Sequence, residues 1–161
     1  MGQQQILLIV LSVILVGIAI AVGITMFQAQ AKQGNIDAII SDLNNLGSVA
    51  YQYKIRPVTM GGGGGYYDTT ETGAAGFDEY FEELPAGMIS NSNATYDVPE
   101  HEDEYVIIVG VSKTQKAEDP EDVVNTGGWL ERYILVGPDG ILSIYNTLAA
   151  AQTAAAAIGG E

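Results

Sequence analysis

The chain has 161 residues and a formal net charge of −14, from 20 acidic and six basic side chains, and it contains no cysteine. That length suits one domain plus an anchor. Six lysines and arginines spread along the chain make no phosphate-binding patch, so nucleic acid is not an expected partner. Without cysteine there is neither a disulfide framework nor thiolate chemistry.

No charged side chain occurs in residues 1–31, so every charge sits from Lys32 onward. Ile6 to Phe27 is 22 residues of almost unbroken apolar sequence, interrupted only by Ser12, Gly17, Gly23 and Thr25. As a helix it spans roughly 33 Å, the thickness of a bilayer core. The preceding MGQQQ has no basic residue, and the apolar run is longer than that of a cleaved secretory signal. Ile6 also stands where a myristoylation motif needs Ser or Thr.

Beyond Phe27 the periodicity continues through Ile36, Ile39, Ile40, Leu43, Leu46, Val49, Ala50 and Tyr53, one apolar stripe at helical spacing. Lys32, Asp37, Ser41, Asp42, Asn44 and Asn45 lie off it. Gly34 and Gly47 weaken this helix, and either bend it or admit a close neighbour. Pro57 disfavours helix at Arg56, so the helix is expected to end near Ile55. Gly17 with Ala21, and Ala19 with Gly23, repeat at the four-residue spacing that lets helix backbones approach in an apolar environment; the same residues are common in membrane helices generally.

A short leader, a continuous apolar helix, an amphipathic extension and a small β-rich remainder resemble type IV pilin-like subunits. Gly2 stands where leaders in such families are cut. The resemblance implies a homopolymeric extracellular filament whose core is a bundle of these helices, drawn from a membrane-held pool by a filament assembly machinery. The assembly residues expected for it are Gln3, Gln4, Gln5, Gly17, Ala19, Ala21 and Gly23 on the stem, from their spacing and amide chemistry, and Ile36, Ile39, Ile40, Leu43 and Leu46 on the extension, from the apolar stripe. Such families carry a glutamate near the start of the helix, and here Gln3, Gln4 and Gln5 are the only polar groups there. They read either as a water-facing helix start or as amides that donate to and accept from neighbouring chain ends.

Thr59 to Gly76 reads as loop, and its five consecutive glycines, Gly61–Gly65, lack the Lys-Ser/Thr ending of a phosphate loop. They read as a flexible or close-packed connector that Tyr66 and Tyr67 pin to the head or to a neighbour. Phe77 to Leu84 places Phe77, Tyr80, Phe81 and Leu84 on one face of a short helix, with Asp78 as expected cap and Pro85 as its end. Strand signals follow at Ala94–Val98, Tyr105–Val111, Trp129–Val136 and Ile141–Tyr145. The last two are expected to form a hairpin across Gly137-Pro138-Asp139-Gly140. Alanine-rich Thr147–Ile158 predicts a final helix capped by Asn146 and stopped by Gly159 and Gly160.

The expected fold class is α+β: a long N-terminal helix packed by three or four antiparallel strands, with a short C-terminal helix. The expected organisation is 1–56 (an apolar stem 1–31 and an amphipathic part 32–56), a connector 57–76 and an acidic head 77–161. Acidic runs at 78–83, 100–104 and 118–122 lack the spacing of a calcium loop and read as solvated loops. His101, the only histidine, lies in a charged loop and reads as solvated, and neither a metal centre nor a Ser–His–Asp arrangement can be argued from the sequence. No catalytic, cofactor or metal residue is assigned. Asn93-Ala94-Thr95 matches a glycan acceptor if the head is exported.

Three functional readings remain: a filament subunit, a single-span anchored protein with an exported binding head, and an anchored enzyme. Lys32, Lys54 and Arg56 follow the apolar run, which the positive-inside tendency would place in the cytoplasm. Asp37 and Asp42 share that region, and the adopted reading is an exported head. A fragment beginning at Gln33 keeps every acidic side chain and loses the apolar run, so it is expected to be monomeric at neutral pH. Light scattering checks this; aggregation equal to that of the full chain would refute the division into stem and head.

Overall fold

The computed structural model describes residues 2–68, 76–116 (backbone alone at 115 and 116) and 129–158. The chain divides into two compact units, 1–34 and 35–161. The fold class is α+β, as expected: a long helix, an open four-stranded antiparallel sheet and a short final helix.

Helix α1 runs unbroken over Gly2–Ile55, so Gly34 does not interrupt it. In the second unit its stripe Ile39, Leu43, Leu46, Ala50 and Tyr53 is buried. The stripe meets one face of a meander of β1 (Ala94–His101), β2 (Val106–Lys116), β3 (Trp129–Gly137) and β4 (Gly140–Tyr145), hydrogen-bonded in that order. Alternation along the strands sends Ala94, Tyr96, Val106, Ile108, Ile134 and Val136 into this core. Residues one position away, Ile107, Val109, Tyr133 and Leu135, point to the other face. Register agrees: Val106 pairs with Val136, and Ile108 with Ile134.

Gly47 is where the helix admits its neighbour. A Cβ there would lie 2.9 Å from Ile141 Cγ1 and 3.1 Å from Ile134 Cδ1. The other face is covered by the last helix, α4 (Leu148–Ala156), through Ala151 and Ala155. Its cap is Thr147 rather than Asn146: Thr147 has extended backbone, and its hydroxyl accepts from Ala150 N at 3.3 Å. The proposed stop at Gly159 and Gly160 lies outside the described residues, as does the acidic run 118–122.

In the chain between α1 and β1, α2 (Phe77–Glu82) buries Phe77 and Phe81, with Tyr80 and Leu84 packed beside them. Asp78 does not cap it; Gly76 is the N-cap and makes no side-chain hydrogen bond. Asp78 lies inside the first turn, where its charge meets the positive end of the helix dipole. Pro85 does end the segment, and then starts a further single turn, α3 (Ala86–Ile89), which the sequence reading did not foresee. The strands run longer than expected at β1 and β2. Pro99 is accommodated in β1 by a register shift between Asp97 and Glu100.

The glycine run folds back as the C-terminal cap of α1. Gly63 N donates to Tyr53 O at 2.9 Å, Gly65 N to Lys54 O at 2.8 Å and Gly64 N to Arg56 O at 3.0 Å. These carbonyls are among those that a helix end leaves without an intrahelical partner. Gly61, Gly64 and Gly65 have positive φ, and Gly62 and Gly63 are buried. The run is thus the close-packed connector of the two expected forms, up to Asp68; residues 69–75 lie outside the described residues. Tyr67 is fully buried and pins the loop to the head, its hydroxyl donating to Gly137 O at 3.0 Å.

A Cβ on Gly63 would lie 1.9 Å from the carbonyl oxygen of Tyr66 and 2.9 Å from the Tyr53 ring, whereas one on Gly34 meets nothing within 4 Å. Gly63→Ala is therefore expected to cost about 2 kcal/mol or more by overpacking. Gly34→Ala, in a helix interior, is expected to gain about 0.5–1 kcal/mol. Denaturant midpoints of the two variants test the pair, and equal effects would overturn the assignment.

Candidate assembly surface

The described residues of the first unit are all helical, and none of them is buried. From Ile6 to Phe27, 16 large apolar side chains are each more than half exposed, from Val22 at 51% to Phe27 at 72%. Full burial of one such side chain is worth about 1.5–3 kcal/mol. Covering the whole set is therefore worth on the order of tens of kcal/mol, more than any other unmet demand in the molecule. The helix is long and apolar enough to cross a membrane by length and composition.

The stem's few polar side chains are arranged to suit apolar surroundings. Ser12 Oγ donates to Ile9 O, and Thr25 Oγ1 to Val22 O, each at 2.8 Å. Both hydroxyls are thereby satisfied within the helix, and a neighbour need supply no partner. Gln3, Gln4 and Gln5 are exposed at the N-terminal end. Gly17, Ala19, Ala21 and Gly23 are exposed too, and a Cβ on either glycine would meet nothing within 4 Å, so these positions are open to a second backbone. The shelf lined by Gln3, Ile6, Leu7, Val10, Leu11 and Ile14 has walls from one helix only; it is open helix surface, not a binding cavity.

The residues of the extension have a different fate. Ile39, Leu43 and Leu46 are buried against the sheet of their own chain, so the head's core consumes the surface they would have brought to an assembly contact. Ile36 and Ile40 are half-buried. The structure thus gathers Gln3–Gln5 and the small-residue positions on one exposed helix, and separates from them most of the amphipathic stripe.

Polar contacts that periodicity alone did not reveal tie α1 to the head. Asp42 Oδ2 accepts from Tyr96 OH at 2.6 Å and from Asn91 Nδ2 at 2.8 Å. Asn35 Oδ1 accepts from Ser112 Oγ at 2.7 Å. Lys54 is almost fully buried; its ammonium lies 5.0 Å from the Tyr67 ring centroid and 3.5 Å from Pro138 O. Removal from water lowers its pKa, against the opposing pull of Glu104 and Asp139. Glu131 is also buried, and the Tyr133 hydroxyl donates to it. Asp42 and Lys54 fall off the apolar stripe, and only the position of the sheet reveals what they face.

The described residues bring together no group of three side chains able to hold a metal ion. His101 Nε2 lies 3.7 Å from Asp78 Oδ1, and that pair has no third ligand among them.

A long apolar N-terminal helix with a small antiparallel sheet is consistent with a pilin-like protein. No family model, curated protein or solved structure matches the chain.

Burial raises the pKa of five phenols, Tyr53, Tyr67, Tyr96, Tyr105 and Tyr133, above the ordinary 10.0, in Tyr105 to about 12. A raised folded-state value means that the folded chain holds protons which the unfolded chain has lost. The associated stability is complete below pH 10 and falls as pH rises through the folded values. Lys54 runs the other way, gaining stability towards its ordinary 10.5, but it is one group against five. The urea midpoint is thus expected to be lower at about pH 11.5 than at about pH 9, with phenolate absorbance rising together with unfolding. A flat midpoint would refute the burial of these phenols.

Proposed function

We propose that this chain is the structural, non-catalytic subunit of an extracellular helical filament, a homopolymer assembled through its N-terminal apolar helices. The observation that carries the reading is the uncovered stem: 16 large apolar side chains, no charge, and hydroxyls already satisfied within the helix. Such a surface is covered either by lipid or by copies of itself. Before assembly the membrane covers it; in the filament, identical helices do. Gly17, Ala19, Ala21 and Gly23 admit the close approach of neighbouring backbones, and Gln3, Gln4 and Gln5 exchange amide hydrogen bonds between chain ends. A head-to-tail contact that does not close yields an open polymer. The acidic heads then face water and repel one another enough to keep fibres soluble.

The competing reading, a single-span anchored protein with an exported head, draws on the same helix, which is long and apolar enough to cross a membrane. Shearing cells without detergent separates the two. Fibres made of this chain are expected in the sheared fraction, and Gly17→Leu is expected to abolish them while membrane insertion survives. Recovery of the protein only from detergent-solubilised membranes, at a small fixed stoichiometry, would sink the filament reading.

A further inference from the structure

The sequence contains one Asn-X-Ser/Thr tripeptide, Asn93-Ala94-Thr95, at the entry to edge strand β1. Ala94 is fully buried in the core, while Asn93 is half-buried and Thr95 exposed. Asn93 lies in the tight turn that leads into β1, closed by Asn91 N donating to Ala94 O at 3.0 Å, and Thr95 is the outward neighbour of the buried Ala94.

The backbone of Asn93 is held at three points. Its N–H donates to Asn91 Oδ1 at 2.9 Å, and its carbonyl accepts from Lys113 N at 3.0 Å and from Asn35 Nδ2 at 3.5 Å. Its side chain, by contrast, makes no hydrogen bond among the described residues. The carboxamides of Asn35, Asn44 and Asn91 are all engaged, with Asn93 O, Ile40 O and Asp42 respectively. Asn93 therefore offers an amide that the fold fixes in place and does not use.

We propose that Asn93 is an N-glycosylation site, modified from a lipid-linked oligosaccharide diphosphate by a membrane oligosaccharide transferase. Asn93 Nδ2 bonds to the anomeric carbon of the first sugar. The bond from that carbon to the phosphate oxygen breaks, the lipid diphosphate leaves with the electron pair, and Nδ2 gives up one proton. No oxidation state changes. The glycan costs the fold no hydrogen bond, because the amide makes none.

This inference rests on the exported head of the proposed function, so the test reads export separately. Protease treatment of intact native cells reports whether the head lies outside. Cleavage of the purified protein after glutamate releases Leu84–Glu100, whose mass reports the modification. The peptide is expected to carry a sugar increment on Asn93 that is lost in Asn93→Gln and in Thr95→Ala and kept in Thr95→Ser. An unmodified peptide from a head cleaved from outside overturns the site and leaves export standing. An unmodified peptide from a protected head overturns both. An increment that survives Thr95→Ala places the sugar elsewhere and overturns the assignment to this tripeptide.

Discussion

Ile39, Leu43, Leu46, Ala50 and Tyr53 recur along α1 at steps of four, three, four and three, and all five are buried. Covering that stripe is the constraint from which the head follows. One face of the four-stranded meander covers it, with inward residues from every strand: Ala94 and Tyr96, Val106 and Ile108, Ile134 and Val136, and Ile144 packed against them. Close approach needs small residues at the contact. Gly47 supplies one on the helix and Gly110 one on the sheet, where a Cβ would lie 2.8 Å from Ile39 Cγ2. The aromatic layer of Tyr53, Phe77 and Tyr80 closes the core beside the end of α1, with Tyr53 meeting Phe77 edge-on at 5.6 Å. Edge-to-face rings of this kind add to burial because the positive rim of one meets the negative face of the other.

The same helix meets the opposite requirement in the first unit. There the apolar surface is distributed around the whole circumference, and no element of the chain is assigned to it. Charge follows the same partition. Every ionisable side chain lies from Lys32 onward, so the cost of desolvating a charge never arises in the stem. Two hydroxyls that could have required partners are turned back onto the carbonyls three residues earlier.

Much of this was legible in the sequence because it is periodic. The extent of α1, the four strands, the hairpin across Pro138 and Asp139, and the final helix all follow from spacing and turn residues. What stayed hidden depends on contacts between distant segments. Asp78 carries the signature of a cap, yet the helix starts two residues earlier, with Gly76 as its cap, and Phe77 enters the core. Asn146 and Thr147 both have capping chemistry, and backbone geometry alone chose between them. The α1 stripe was read both as the surface on which the strands pack and as an assembly face, and periodicity alone does not divide its residues between the two. Asn93 was visible as a motif; that its amide is unused while its backbone is pinned was visible only in the fold.

A run of five identical residues usually behaves as a spacer, whose length can drift by a residue without consequence. Here the positions are individually addressed: the amides of Gly63, Gly64 and Gly65 each meet a different carbonyl at the end of α1, and Gly62 and Gly63 are too enclosed to carry a side chain. The run therefore has a phase as well as a composition. Contraction to four glycines or expansion to six leaves the composition almost unchanged, yet it displaces every later amide from its carbonyl and moves Tyr67 away from Gly137. A tract of one repeated residue is in this chain held to a single length by the geometry of a helix end.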